Sequence, residues 1–316
     1  MADTRSPGDH GSPGPFPPGQ VPFEQLPPER VPAEQAPPEQ AQPGDQDHRP
    51  SRRSAKVADI RRYGQPPGLK DRRNEEHWAG RLYMRTLSPY FAWIFLRLGL
   101  SPNQLTYLMM LSGIVAGAVV SLPVAGTATL WTALGGAVLI QVYLLLDCVD
   151  GEVARYLRQT SVAGVFLDRI GHYLSEVSLL IGLGFAAQGG WENGGWAELG
   201  LLAALGAALI KAETDNVVVA RAKSGLPADP VGGDRALRPR STGIALARQA
   251  ASMLRFHRII GAVELSLLIL AAAALDVVMG NDTPAAIRVL TVAVALVAVL
   301  QTLLHLVSIL ASRRLK

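Results

Sequence analysis

From Asn103 onward the chain is a succession of apolar blocks separated by short polar connections. Six blocks are long enough, or nearly so, to cross a bilayer: 103–122, 127–146, 170–188, 197–217, 259–279 and 285–310. A crossing helix needs about 20 apolar residues. No soluble domain interrupts the series. The longest break, 221–258, is polar and contains Gly and Pro. Upstream, Trp78 to Leu98 is too polar to span. With Tyr83, Tyr90, Phe91, Trp93 and Phe95 it is aromatic enough to lie in the headgroup region, so an amphipathic helix on the cytosolic leaflet is expected there. The pattern predicts an all-α polytopic membrane bundle of six transmembrane helices with an N-terminal interfacial amphipathic helix.

Composition agrees with that reading. Apolar residues make up 49% of the 316 and charged residues 18%, against about 25% charged in soluble domains. Mean hydropathy is +0.21. A disulfide-stapled scaffold is excluded, because Cys148 is the single cysteine. Residues 1–50 hold 13 of the 22 prolines, and VPFEQLPPER (21–30) is nearly repeated as VPAEQAPPEQ (31–40). Such a stretch cannot bury enough apolar area to offset its ordering entropy, so a disordered Pro-rich tail is expected. It also lacks the apolar core of a secretory signal. A proline-recognition docking site is the alternative. The expected organisation is a tail (1–50), a basic juxtamembrane segment with the interfacial helix (51–100), a six-helix membrane domain (101–312) and a basic cytosolic C-terminus (313–316).

Charge placement sets an orientation. Residues 1–97 carry fourteen Lys/Arg, residues 221–258 carry eight, and Arg313, Arg314 and Lys316 close the chain. The connections near 122–126, 189–196 and 280–284 carry none. With an even number of spans every basic segment falls on one side, which the positive-inside rule makes cytosolic, both termini included. The basic balance (pI ≈ 9.4) is therefore read as topology and anionic-lipid contact, with no nucleic acid as partner.

The chemistry concentrates between the second and third spans, in LLLDCVDGEVARYLRQTSVAGVFLDRIGHYLSE. Ionisable groups at membrane depth are costly and point to function. Asp147 and Asp150 are spaced i,i+3 and share one helix face; Asp168 and His172 are i,i+4 and share another. Gln159–Ala163 reads as a turn, so an antiparallel pair would bring three carboxylates and an imidazole together. Clustered carboxylates repel unless cations lie between them. Oxygen donors without thiolate favour Mg²⁺ or Mn²⁺, and such ions would clamp a pyrophosphate. Gly151, Ala154 and Gly164 are small enough for a phosphate to approach the backbone, and Arg155 can neutralise one by fork geometry.

The competing readings are bland. The aspartates could form an ion-pair network with Arg155, Arg158 and Arg169. Gly151 and Gly164 could be helix-packing sites. Glu152 and Arg158 read as surface charges near the headgroups, and Cys148 as a small apolar filler. Lys211, Glu213 and Asp215 read as the fourth span leaving the bilayer, or as the wall of an acceptor pocket.

The segment resembles the CDP-alcohol phosphatidyltransferases, whose pattern is D-x2-D-G-x2-A-R-x8-G-x3-D-x3-D. Asp147, Asp150, Gly151, Ala154, Arg155, Gly164 and Asp168 match; the last position holds His172 in place of aspartate. SPNQLT (101–106) resembles the family's first-helix entry, where Asn103 and Thr106 would contact the nucleotide. The resemblance covers roughly 80–312. It implies an integral cell membrane enzyme of phospholipid biosynthesis. That enzyme would move the phosphoryl-alcohol part of a CDP-alcohol, with CDP-diacylglycerol the first candidate, to an acceptor hydroxyl with release of CMP. It also implies Asp147, Asp150 and Asp168 as ligands of Mg²⁺ or Mn²⁺. Gly151, Ala154, Arg155 and Gly164 would line the donor site, and the active site would open to the cytosol. At the departing position a neutral imidazole is a capable general base near neutral pH and can also ligate a metal, so His172 is expected as the base, with a ligand role open beside it. Membrane lipid is an expected partner, and a homodimer is an option because the family is commonly dimeric. The rivals are a catalytically silent relative acting as a scaffold and a cation transporter using the carboxylates. The acceptor stays open among glycerol phosphate, inositol phosphate, serine and another lipid.

Overall fold

The computed structural model describes residues 51–66, 78–227, 261–280, 283–311 and 315. The expected Pro-rich tail, the C-terminal cations Arg313, Arg314 and Lys316, and most of the basic loop lie outside the described residues. The described residues belong to one compact unit. Every regular element among the described residues is helical: α1 (Val57–Gly64), a π-helical turn (Gly80–Met84) running into α2 (Arg85–Arg97), α3 (Pro102–Val120), α4 (Thr127–Leu157), α5 (Val162–Gln188), α6 (Gly195–Lys223), α7 (Ala262–Val278) and α8 (Ala285–Ala311).

Among the described residues five helices, α3 to α6 and α8, are long and apolar enough to cross a membrane. The block expected as the fifth span forms α7. Its 17 residues reach roughly 26 Å at about 1.5 Å each, against a hydrocarbon core about 30 Å thick. Helix α4 continues 11 residues past its expected apolar limit at 146 and carries the first half of the motif as regular helix. Within the stretch expected as an interfacial helix, α2 leaves Leu87, Tyr90, Phe91 and Ile94 exposed and buries Ser88, Ala92 and Leu96.

Local signals explain the boundaries. Ser101 and Gln104 form a capping box at the start of α3, with Pro102 in the first turn. Arg158 ends α4 in the left-handed region at φ 55°, and Ser161 caps α5 through the Gly164 N–H at 3.0 Å. The turn between them therefore spans only 158–161, shorter than the expected Gln159–Ala163 because the Ser161 cap starts α5 at Val162, and α4 and α5 leave it side by side.

Helix α3 packs against both α4 and α5. A Cβ on Gly117 would overlap the Ser178 carbonyl, one on Gly182 the Gly117 carbonyl, and one on Gly113 the Ser175 hydroxyl. Backbone-to-backbone approach of this kind is how apolar helices associate where no hydrophobic driving force separates them from lipid. Further along, Gly184 and Gly200 do the same for α5 and α6. The cluster of charged residues sits at the end of this α3–α4–α5 layer.

Candidate active site

Helices α4 and α5 bring Asp147, Asp168 and His172 together. One ligand atom from each lies within 4.8 Å of the others. His172 Nε2 stands 3.3 Å from Asp147 Oδ1 and 3.7 Å from Asp168 Oδ1. The three side chains are partly exposed, at 37% for His172, 22% for Asp147 and 41% for Asp168, so the cluster is reachable from outside the bundle.

Asp150 is buried, and its Oδ2 accepts a hydrogen bond from Thr106 Oγ1 at 2.6 Å. It faces a cavity of about 210 Å³, whose wall includes Asn103, Thr106, Asp150, Gly151, Ala154, Arg155, Gly164 and Asp168. Six residues expected to hold the donor thus line one cavity, contributed by α3, α4 and α5. Asp168 joins that cavity to the Asp147–His172 pair. The two glycines serve the cavity rather than helix packing. A Cβ on Gly151 would sit 3.0 Å from the Arg155 Nη1, and one on Gly164 3.2 Å from Ser161 Oγ and 3.5 Å from Asn103 Oδ1. Pro102, Gln159, Thr160, Ser161 and Val165 complete the wall, and sequence reasoning had not singled them out.

The arginines take their own partners. Arg169 pairs with Asp215 on α6, and Arg155 Nε donates to the Gly64 carbonyl at 2.7 Å. Arg158 is exposed. Carboxylates gathered beside an imidazole, with Arg169 drawn toward α6, form a donor set that suits a hard divalent cation. Cys148 is 1% exposed in the core, so no thiolate alters that preference.

A second cavity of about 200 Å³ is lined by Arg169, His172, Tyr173, Ile210, Lys211, Thr214 and Asp215. Lys211 pairs with Glu176 at 3.1 Å, and Tyr173 donates to Asp215 Oδ2 at 3.0 Å. Lys211 and Asp215, read first as the exit of a span, therefore stand beside the motif.

Two residues carry roles that the sequence did not suggest. Glu152 is not a headgroup charge: it is fully buried, and its Oε1 accepts from Ser88 Oγ at 2.5 Å, Gln65 Nε2 at 2.8 Å and Arg85 Nη1 at 3.4 Å. Helices α1 and α2 cover it. Tyr143, one turn before Asp147 and 4% exposed, bonds through its hydroxyl to His172 Nδ1. Its i,i+4 spacing to Asp147 was the available signal. Tyr143 fixes the ring so that Nε2 is the nitrogen turned to the carboxylates. Removing the hydroxyl in Tyr143→Phe is expected to lower metal affinity or turnover about 10-fold or more, the usual cost of losing an outer-shell partner. Turnover measured against metal concentration checks it, and an unchanged curve would deny the role.

Comparison with known proteins agrees with the motif. The CDP-alcohol phosphatidyltransferase family model matches residues 99–312. A phosphatidylinositol phosphate synthase of Streptomyces avermitilis is 32% identical over 116 residues, 37% of this chain and 44% of that protein. A bifunctional IPC transferase and DIPP synthase of Thermococcus kodakarensis is 32% identical over 118 residues, again 37% of this chain but 24% of that protein. The alignments thus span less than half the length of either relative.

Proposed function

Because the chain belongs to the CDP-alcohol phosphatidyltransferase family, we propose that it transfers the phosphoryl-alcohol group of a CDP-alcohol to an acceptor hydroxyl in phospholipid synthesis. The observation that carries this reading is that the motif residues fall into two adjoining groups that share Asp168. Six donor-site candidates line a single cavity with Asp150 and Asp168, and Asp168 is shared with the Asp147–His172 cluster.

The proposed division of labour follows the two cavities. The nucleotide diphosphate occupies the first, with Arg155 beside its phosphates and Thr106 holding Asp150 in orientation. Asp147, Asp150, Asp168 and, as an alternative to its role as base, His172 would hold Mg²⁺ or Mn²⁺. The ion would neutralise the diphosphate and the departing CMP. The acceptor enters the second cavity, whose polar wall holds Arg169, Lys211 and Asp215, the cations already paired to Asp215 and Glu176. His172 is common to the cluster and the second cavity. From there its Nε2 takes the proton as the acceptor oxygen bonds to the β-phosphorus, while the bond from that phosphorus to the CMP oxygen breaks. The name of the Streptomyces relative supports a phosphatidyl donor, hence CDP-diacylglycerol, and a phosphorylated polyol acceptor.

The membrane setting is proposed on the same grounds. Lys/Arg clustering on alternate connections supports six crossings, with α7 completing an even number and both termini and the site facing the cytosol. The outward apolar side chains of α2 suit the headgroup boundary.

Incubating the purified protein with labelled CDP-diacylglycerol, Mg²⁺ and a panel of alcohols, then identifying the product, tests the reaction. CMP release that depends on one alcohol is the expected result. Binding without turnover for any alcohol would instead mark a silent relative. His172→Ala is expected to cost about 10²–10⁴-fold in kcat, the range of general-base catalysis. Turnover of His172→Ala within about tenfold of wild type would assign the proton transfer to another group.

A further inference from the structure

The Arg155 guanidinium at the cavity wall is fastened from outside the matched stretch. Its Nε donates to the carbonyl of Gly64, the last residue of α1, at 2.7 Å. Its Nη1 and Nη2 lie over Gly151, 3.0 and 3.3 Å from where a Cβ would stand. The Nε edge thus faces α1 and the Nη edge faces the glycine that lines the cavity.

The position of the Gly64 carbonyl is itself fixed. A Cβ on Gly64 would meet the Glu152 carbonyl oxygen at 3.1 Å and the Glu152 Cβ at 3.2 Å, so a side chain there would push α1 a few tenths of an ångström from α4. The next residue, Gln65, donates from Nε2 to Glu152 Oε1 at 2.8 Å and to the Arg85 carbonyl at 2.7 Å. Further upstream, Tyr156 donates to the Ser51 carbonyl at 3.2 Å, Trp93 Nε1 to the Ala55 carbonyl at 3.0 Å, and Arg52 to the Leu100 carbonyl at 3.0 Å. A helix of eight residues is too short to persist alone; these contacts set where it lies.

We propose that residues 51–66 form a positioning element of the donor site. Through the Gly64 carbonyl they aim the Arg155 fork at the diphosphate of the CDP-alcohol. Arg155 touches the ligand; Gly64, Gln65 and Glu152 act through it as positioning residues. The inference rests on the donor reading above. A fork held in advance loses less side-chain freedom when it engages phosphate, which strengthens a charge-assisted bidentate contact.

The test is a double-mutant cycle in the full-length protein in detergent with Mg²⁺. It reads the Kd for CDP-diacylglycerol together with KM and kcat for CMP release. Gly64→Ala displaces α1 by a few tenths of an ångström and is expected to weaken donor binding about 3-fold; Gly64→Val is expected to weaken it about 10-fold or more. Both should raise the donor KM and leave the acceptor KM unchanged. Arg155→Lys keeps the charge but loses Nε. In that background Gly64→Val is expected to cost nothing further, because the bond through which it acts is gone. Multiplicative effects, or wild-type affinity in both Gly64 variants, would overturn the inference. If Gly64→Val does not elute as wild type on size exclusion, Gly64→Ala carries the comparison. Absence of donor binding by the wild type would remove the donor reading itself and this inference with it; wild-type binding that the Gly64 variants share removes only the inference.

Discussion

Asp168→Asn is expected to leave the protein folded and to lower kcat/KM for CMP release by about 10³-fold or more, on the scale of lost metal and charge stabilisation in phosphoryl transfer. Asp168 stands where the two halves of the site meet. It lines the donor cavity with Asp150 and Gly164, and its Oδ1 belongs to the cluster with Asp147 and His172. Asparagine keeps the volume and one carbonyl oxygen but removes the negative charge that a hard cation needs. At 41% exposure the side chain carries no core packing. The thermal midpoint in detergent should therefore stay close to wild type while turnover collapses. Turnover within about tenfold of wild type would show that the cluster does not hold the reaction's metal.

Gly117→Val is expected to be the most damaging change to the fold, at about 3 kcal/mol or more, beyond ordinary overpacking. The added branched side chain would drive into the Ser178 backbone carbonyl, which cannot rotate away as a flexible side chain would. The neighbouring contact, Gly182 against the Gly117 carbonyl, closes the same seam from the other helix. Separating α3 from α5 also moves Asn103 away from Gly164 at the donor cavity, so activity falls with stability. A monodisperse protein with a wild-type melting temperature would show that α3 and α5 do not meet there. Gly195→Ala is the matching control, since a Cβ at Gly195 meets nothing within 4 Å.

The sequence was most legible where spacing alone decides geometry. The i,i+4 interval of Asp168 and His172, a short turn and an antiparallel pair were enough to place Asp147 beside them, whereas Asp150, three residues on from Asp147, faces the donor cavity instead of joining that cluster. Asn103 and Thr106 were placed by motif, and the Thr106–Asp150 hydrogen bond gives that placement a physical form. Glu152 shows where the reading stopped. One residue past Gly151 on a helix leaving the apolar region, it looked like a surface charge. Its burial is made by Gln65 and Ser88, 87 and 64 residues away in sequence, and no local pattern reports contacts of that range. Helix α7 illustrates a different limit: apolar composition marked the block, but the helix that forms is shorter than the block. Arg155 illustrates a third. The motif predicted a phosphate-binding side chain, whereas its attachment to Gly64 depends on a segment upstream of the matched stretch.

The central claim is that Asp147, Asp168 and their neighbours grip a divalent ion that engages a nucleotide diphosphate. Titrating the purified protein with Mn²⁺ and following the free-ion signal by electron paramagnetic resonance, with and without CDP-diacylglycerol, tests it most directly. The account predicts saturable Mn²⁺ binding that tightens when CDP-diacylglycerol is present and that is lost in the Asp147→Asn, Asp168→Asn double variant. Equal Mn²⁺ uptake by wild type and the double variant, indifferent to CDP-diacylglycerol, would contradict it.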